Sequence, residues 1–505
     1  MTLVSRIMGL VRDIVIAHLV GAGASADVFL LANKIPNFLR RLFAEGAFAQ
    51  AFVPVLVEYK EHHPDDVRLL LSRVAGTLGI IVSMITLVGV IGSPIIAALF
   101  ANGWFVAHLD GAPAGAKFEM ASLLLKWTFP YLWFISFVAF AGSILNTMER
   151  FAVSAFTPVF LNIIIISFAI WICPDMDHPE IGLAMSVFVG GLVQFVFQIP
   201  FLWRIGFLVK PSWAWHDAGV MKIRKLMIPA LFGVSVSQIN LLLDTVIASY
   251  LITGSISWLY YADRLMEFPL GVFGIAIATV ILPTLSTKHT KAKTASFSQT
   301  MDWGVRSVCA LGLPAMVGLI LLAKPTLMVL FMRGAFSEYD VAQSSMSLVA
   351  YMLGLLNFML IKIFATGFYS RQDTKSPVKY GIVAMVCNMV FNLIFAYFLG
   401  YVGLALATSL SALVNMVLLY RGLVQSGAYQ ASRETWIFLS KAIVCVLLMA
   451  SVVAWLNPDE VRWLAMSSLK RLSWLLGLIA IGALVYVLSF ILLKGHKAIL
   501  RPIKS

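Results

Sequence analysis

Long apolar runs separated by short polar breaks extend over the whole chain. A helix needs about 20 mostly apolar residues to cross a bilayer, and runs of that length or more recur. About fourteen can be counted, at 1–20, 25–57, 68–100, 119–147, 152–173, 180–205, 222–252, 256–286, 301–323, 341–370, 377–399, 402–424, 434–455 and 471–494. Several exceed one crossing, which predicts tilt, kinks or extension into water. Short alternating segments of the outer-membrane barrel kind are absent from the pattern. The expected fold class is therefore an all-α polytopic membrane protein. Composition agrees, with 60% of residues hydrophobic and 12% charged, against roughly 25% charged in soluble domains.

The first twenty residues carry charge through their apolar part and lack a small-residue cleavage site, so they read as a first helix and not as a signal peptide. That helix is short at its front, so a native start upstream of Met1 is the expectation. Cys173, Cys309, Cys387 and Cys445 all fall inside apolar runs and read as buried thiols without disulfide or metal roles.

A net charge of +13 would point to nucleic acid in a soluble protein. Here the basic residues gather in alternate loops: 210–225, 288–293, 371–375 and the tail 494–504. The intervening turns at 20–25, 251–255 and 399–403 are neutral, and 174–180 is acidic. The positive-inside rule then puts both termini in the cytoplasm, and no nucleic-acid partner is expected. The SLKRLS segment near 470 is the exception, at a helix end where cations snorkel cheaply.

ASADVFLLANK (24–34) matches GSISWLYYADR (254–264) at an offset of about 230, with Ala32 on Ala262, Lys34 on Arg264 and Phe43 on Phe273. One residue of slippage later Pro54 falls on Pro283. Each repeat would hold six spans. An even number keeps both in the same orientation, as two six-helix lobes around a central cavity. The expected divisions are 1–206, 207–425 and an added helix pair with tail, 426–505.

Charge at bilayer depth costs roughly 2.5–3.5 kcal/mol per residue even on permissive scales, yet it clusters in three spans. The first span holds Arg6, Arg12 and Asp13. The second holds Asp27, Lys34, Arg40, Arg41 and Glu45, and the eighth Asp263, Arg264 and Glu267. In the second, Arg41 and Glu45 are i,i+4 and can neutralise each other. Arg40 points about 100° away, without an acid at that spacing. Guanidinium groups present planar donor forks suited to phosphate or carboxylate. Arg6, Arg12, Arg40 and Arg264 together would make an anion site, for which a diphosphate is a good match. Asp244, Asn388, Asn392 and Thr408 place oxygen atoms at membrane depth in the other lobe, a pattern that suits sodium or a proton relay, or plain interhelical hydrogen bonding.

Other chemistry is poorly provided for. His62-His63-Pro64-Asp65-Asp66 lacks zinc spacing and reads as a solvated loop. Neither a phosphate-binding G-x-x-x-x-G-K-[ST] loop nor a G-x-S-x-G elbow occurs. An enzyme is therefore not expected. Energy would come from an ion gradient, the membrane potential or a partner, with no other cofactor.

SRIMGLVRD (5–13), GAGASADVFLLANKIPNFLRRLFAEGAFAQAFVPVL (21–56), SWLYYADRLMEFPLGVFGIAIATVILPTLS (257–286) and GFYSRQDTKSPVK (367–379) closely resemble the MurJ (MviN) family of lipid II flippases. That family lies in the multidrug/oligosaccharidyl-lipid/polysaccharide exporter superfamily. The resemblance implies alternating-access flipping of lipid II, the undecaprenyl-diphosphate-linked disaccharide-pentapeptide, across the bacterial cytoplasmic membrane. It implies a monomer that meets membrane lipids and cell-wall synthesis proteins, with the last two helices forming a groove for the lipid tail. It assigns the cavity arginines to Arg6, Arg12, Arg40 and Arg264, and the cavity acids to Asp13, Asp27, Glu45 and Glu267. Some relatives bind sodium in the second lobe, where Asn392 here stands at a position that a relative fills with Asp. An exporter of another anionic lipid-linked sugar or small molecule on the same fold is the alternative.

Overall fold

The computed structural model describes residues 2–41, 48–290 and 294–496. Among them every regular element is a helix. By contact the chain divides into two compact units, 1–257 with 333–336, and 258–332 with 337–505. These units are not the lobes of the sequence repeat. The repeat records sequence likeness, whereas a compact unit records which helices pack together, and the helix at 218–248 packs on the first unit.

The first unit contains α1 (Thr2–Val20), α2 (Ala24–Leu39), α3 (Ala49–His62), α4 (Val67–Ile91), α5 (Ser93–Phe100), α6 (Asn102–Leu109), α7 (Ala116–Thr128), α8 (Tyr131–Thr147), α9 (Phe151–Trp171), α10 (Pro179–Arg204) and α11 (Ala218–Ala248). Its core at one end is aromatic: Phe52 stacks on Phe48 with ring centres 5.1 Å apart and meets Phe140 at 5.2 Å. Such pairs add stabilisation beyond the area they bury. Asp217 caps α11 by accepting the Gly219 and Val220 N–H groups, and Arg73 of α4 pairs with the same carboxylate. One residue thus starts a helix and fastens it to its neighbour.

The second unit begins in α12 (Ser255–Pro269) and continues through α13 (Ile275–Thr290), α14 (Thr294–Leu321), α15 (Ala323–Leu330), α16 (Glu338–Tyr369), α17 (Lys375–Leu399), α18 (Tyr401–Gln425), α19 (Arg433–Leu456), α20 (Glu460–Ala465) and α21 (Ser468–Leu492). A Ser337–Asp340 capping box opens α16, and the indole of the buried Trp258 donates to Asp340 at 3.0 Å. Small residues let helices approach, as expected where lipid removes the hydrophobic drive. Gly354 of α16 leaves no room for a Cβ against Ser409 of α18, whose hydroxyl donates to the Ala350 carbonyl at 2.7 Å. The added pair is fastened to α14. Tyr486 of α21 donates to the Ala310 carbonyl at 2.8 Å, and Arg306 donates to Thr435 of α19 at 2.8 Å.

Eleven helices among the described residues are long and apolar enough to cross a membrane. The other three predicted spans overlie α1, α2 with α3, and α11. The two repeat segments share a break. Pro36 lies inside α2, and the backbone turns π-helical at 40–41. Pro269 ends α12, and a π-helical turn follows at Leu270–Gly274. Proline removes a helix hydrogen bond, and a π-turn is one way the chain absorbs that loss.

The loop 207–217 lies along α4. The Ser212 N–H donates to the Ser72 carbonyl at 2.9 Å, and a Cβ on Gly76 would stand 2.2 Å from the Ser212 carbonyl oxygen. Gly76→Ala is therefore expected to push this loop off α4 and to lower stability by about 1–3 kcal/mol. A thermal midpoint equal to that of the parent would contradict it.

Candidate functional site

In the first unit, Arg12 is carried by α1 and is held by two neighbours. Its Nε and Nη2 donate to Asp13 Oδ1 at 2.9 and 2.7 Å, and its Nη1 donates to Asn162 Oδ1 of α9 at 3.1 Å. Asp13 is fully buried and Arg12 nearly so, at 0% and 13% side-chain exposure. A lone guanidinium at this depth would be costly; the adjacent carboxylate neutralises it, and Asn162 fixes its plane. Arg6, about one and two-thirds turns earlier, is exposed.

Arg40 is half-buried, and its Nε donates to Asn37 Oδ1 at 3.1 Å. Arg40 has no acid at the i,i+4 spacing that pairs Arg41 with Glu45 in the sequence; its partner here is a neutral amide at i−3. Asn37 is itself anchored, its amide donating to the Asn33 carbonyl at 2.8 Å. Arg41 is exposed. Glu45, its expected partner, lies outside the described residues.

Asp27 is almost fully buried. Its carboxylate accepts the Gly254 N–H at 2.7 Å, the Ser257 N–H at 3.0 Å and the Ser257 hydroxyl at 2.7 Å. All four residues' worth of this turn, 254–257, belongs to the first unit. Asp27 thereby caps the first turn of α12 from a distant helix, satisfying N–H groups that have no partner within the helix. Lys117 of α7 lies close by. Its ammonium donates to Thr253 at 2.9 Å and sits 4.9 Å from the centre of the Trp104 ring. Two further contacts join the same turns. The Gly103 N–H donates to the Ser249 hydroxyl at 2.9 Å, and the Ala335 N–H donates to the His18 carbonyl at 2.9 Å.

In the second unit, Arg264 Nη1 donates to Glu267 at 3.1 Å, one turn along α12. Asp263 is half-buried beside it. Asn388 and Asn392 are buried on α17, and the Asn392 amide donates to Asn388 Oδ1 at 3.0 Å. The Asn388 amide donates in turn to Ser411 of α18 at 3.3 Å, and the Thr408 hydroxyl donates to the Leu404 carbonyl of its own helix at 3.0 Å. Asn392, Asn388 and Ser411 thus form a hydrogen-bonded chain that joins α17 to α18. Asp244 is half-buried on α11, in the first unit. No cluster of three or more His, Cys, Asp or Glu side chains able to hold a metal occurs among the described residues.

Asn37, Asn162, Ser257 and Ser411 are partners that sequence reasoning missed. For Ser257 a signal existed, since it stands 230 residues from Asp27, the offset of the repeat.

The chain resembles known proteins over nearly its whole length. A family model described as lipid II flippase MurJ matches residues 16–473, just after Arg6, Arg12 and Asp13. A protein of Vibrio cholerae serotype O1 named probable lipid II flippase MurJ is 61% identical, over 98% of this chain and 94% of its own. The solved structure titled lipid II flippase MurJ, inward closed conformation, superposes with a TM-score of 0.81 at 27% identity, covering 98% of both chains. An inward-facing transporter of the multidrug-resistance MATE family shares the fold, with a TM-score of 0.67 at 15% identity over 83% of this chain and 93% of its own. With buried charged side chains, an all-helical polytopic fold and these likenesses, the chain belongs to the lipid II flippase MurJ family.

Proposed function

We propose that this protein moves lipid II from the inner to the outer leaflet of the bacterial cytoplasmic membrane by alternating access, with both termini in the cytoplasm. One observation carries the reading beyond family membership: Arg12, itself nearly buried, is held by the buried Asp13 and by Asn162. A guanidinium that is both neutralised and oriented is ready to exchange partners with an incoming diphosphate at modest desolvation cost. Arg6, Arg40 and Arg264 take further diphosphate oxygens, and Asp13 and Glu267 receive Arg12 and Arg264 back once the substrate leaves. Asp263 and Glu45 keep the site from becoming so cationic that product stays bound. The undecaprenyl tail remains in lipid, along the pair α19 and α21. Asp27 acts as a latch on the 254–257 turn, and its three hydrogen bonds break when that turn moves. The protein acts as a monomer, beside cell-wall synthesis proteins.

Cells depleted of their own lipid II flippase and supplied with this chain are expected to grow and to expose lipid II on the outer leaflet. Normal accumulation of the chain without either result would overturn the reading, and rescue lost to competition by a different anionic lipid-linked sugar would favour the alternative substrate.

Sodium or the membrane potential is the proposed source of the reset, the potential supplying about 2.3 kcal/mol per charge per 100 mV. Asp244→Asn is expected to remove any sodium dependence of transport in vesicles with set gradients. Unchanged dependence would exclude Asp244 from an ion site.

A further inference from the structure

A cavity in the first unit lies between α4, α8 and α11. α4 supplies Val74, Ile81 and Ile85, α8 supplies Leu132, and α11 supplies Ile223 and Met227. The cavity holds about 130 Å³, and its lining is almost wholly apolar. Apolar cavities of this order stay dry and accept hydrocarbon. Met84, Leu87 and Val88, beside and beyond these positions on α4, are exposed, as a lipid-facing surface requires in a membrane helix.

The rim is different. Arg224 lines the cavity, and its guanidinium carbon stands 4.1 Å from the centre of the Trp215 ring. Trp215 stacks in turn on Trp213, with planes 9° apart, and Trp213 is 53% exposed. Nη1 of Arg224 is buried and has no hydrogen-bond partner among the described residues. A buried guanidinium nitrogen without an acceptor is costly, and the natural remedy is an anion. Neighbouring cations show the contrast: Arg73 is matched to Asp217, and Lys222 to Glu58. Exposed Lys210 and Lys225 add positive charge at the same end of α11. Tryptophan pairs of this kind settle at the level of lipid headgroups. The 207–217 loop is held there by its bonds to α4, including the Ala214 N–H on the Thr77 hydroxyl at 3.4 Å.

We propose that this cavity is a binding site for an anionic glycerophospholipid, with an acyl chain between α4, α8 and α11 and the phosphate on Arg224. The chemistry is two-part: hydrocarbon fills the apolar chamber, and a phosphate oxygen satisfies Nη1. The surrounding lysines favour a headgroup with net negative charge. The lipid would tie the 207–217 loop, α4 and α11 together, so occupancy by membrane lipid stiffens this end of the protein.

The test uses the full chain in phosphatidylcholine vesicles containing a small fraction of phosphatidylglycerol with a photoreactive acyl chain. Labelled peptides are compared with those of α21, which reports general lipid contact. Enriched label is expected within 74–85 and 223–227. Arg224→Lys keeps most of it. Arg224→Gln reduces it about tenfold, the value of a charge-assisted hydrogen bond. Ile81→Trp, which fills the chamber, removes the enrichment with α21 labelling unchanged. Equal enrichment in the parent and in Arg224→Gln would overturn the proposal. So would label no higher than on α21, or label displaced by undecaprenyl diphosphate but not by unlabelled phosphatidylglycerol.

Discussion

Arg264→Ala is expected to abolish rescue of flippase-depleted cells while the protein accumulates at the parent level. Arg264 lies on α12, is 30% exposed, and makes its ion pair with Glu267 on the same helix. A same-helix pair this open contributes little to folding, a few tenths of a kcal/mol at most. Its loss should therefore leave the fold intact. The loss toward a diphosphate is much larger. Each charge-assisted bond is worth about 1.5–3 kcal/mol, and a bidentate contact makes two, so affinity falls a hundredfold or more. Arg264→Lys keeps the charge without the planar fork and should fall between the two. Outer-leaflet lipid II, read by an impermeant reagent, separates these outcomes. Parent-level exposure in Arg264→Ala would remove Arg264 from the site.

The second large effect belongs to Asp27, and it is one of stability. Asp27→Ala leaves the Gly254 and Ser257 N–H groups and the Ser257 hydroxyl without their acceptor. Buried donors left unsatisfied cost about 1–3 kcal/mol each, so the three together cost on the order of 3–9 kcal/mol. Asp27→Asn keeps one acceptor oxygen but turns an amide N–H₂ toward donors, and should fall between the parent and Asp27→Ala. Ser257→Ala removes only the hydroxyl bond and should cost least. Thermal midpoints of the purified proteins should follow the order Ser257→Ala, Asp27→Asn, Asp27→Ala, the last being lowest. Midpoints for all three equal to the parent would mean that these hydrogen bonds do not hold the turn.

The membrane spans are legible because hydrophobic run length is a local property. Among the described residues each predicted interval overlies helix, and eleven of those helices are long and apolar enough to cross a membrane. The charged site is only half legible. Residue types and depth can be read, but partners depend on which helices meet. Arg12 and Asn162 are 150 residues apart, and no periodicity connects them. Arg12 and Asp13 are sequence neighbours, yet helical-face reasoning looks three and four residues away and passes over an adjacent pair. Arg40 finds Asn37 because an amide oxygen accepts as a carboxylate does, only more weakly. The 210–225 segment reads in sequence as a basic loop. Only the packing of Trp215 on Arg224 turns it into the edge of a chamber. The Asn388 and Asn392 spacing does translate into a direct contact, because i,i+4 is local geometry. The link to Ser411 is tertiary and could not be read.

The most direct measurement is translocation of headgroup-labelled lipid II in vesicles that contain only the purified full chain. Parent protein should move the label to the opposite leaflet, and the Arg12→Ala/Arg264→Ala double variant, folded by the same thermal criterion, should not. Transport by the double variant at the parent rate, or none by well-folded parent protein, would contradict a flippase that works by holding a diphosphate on arginine.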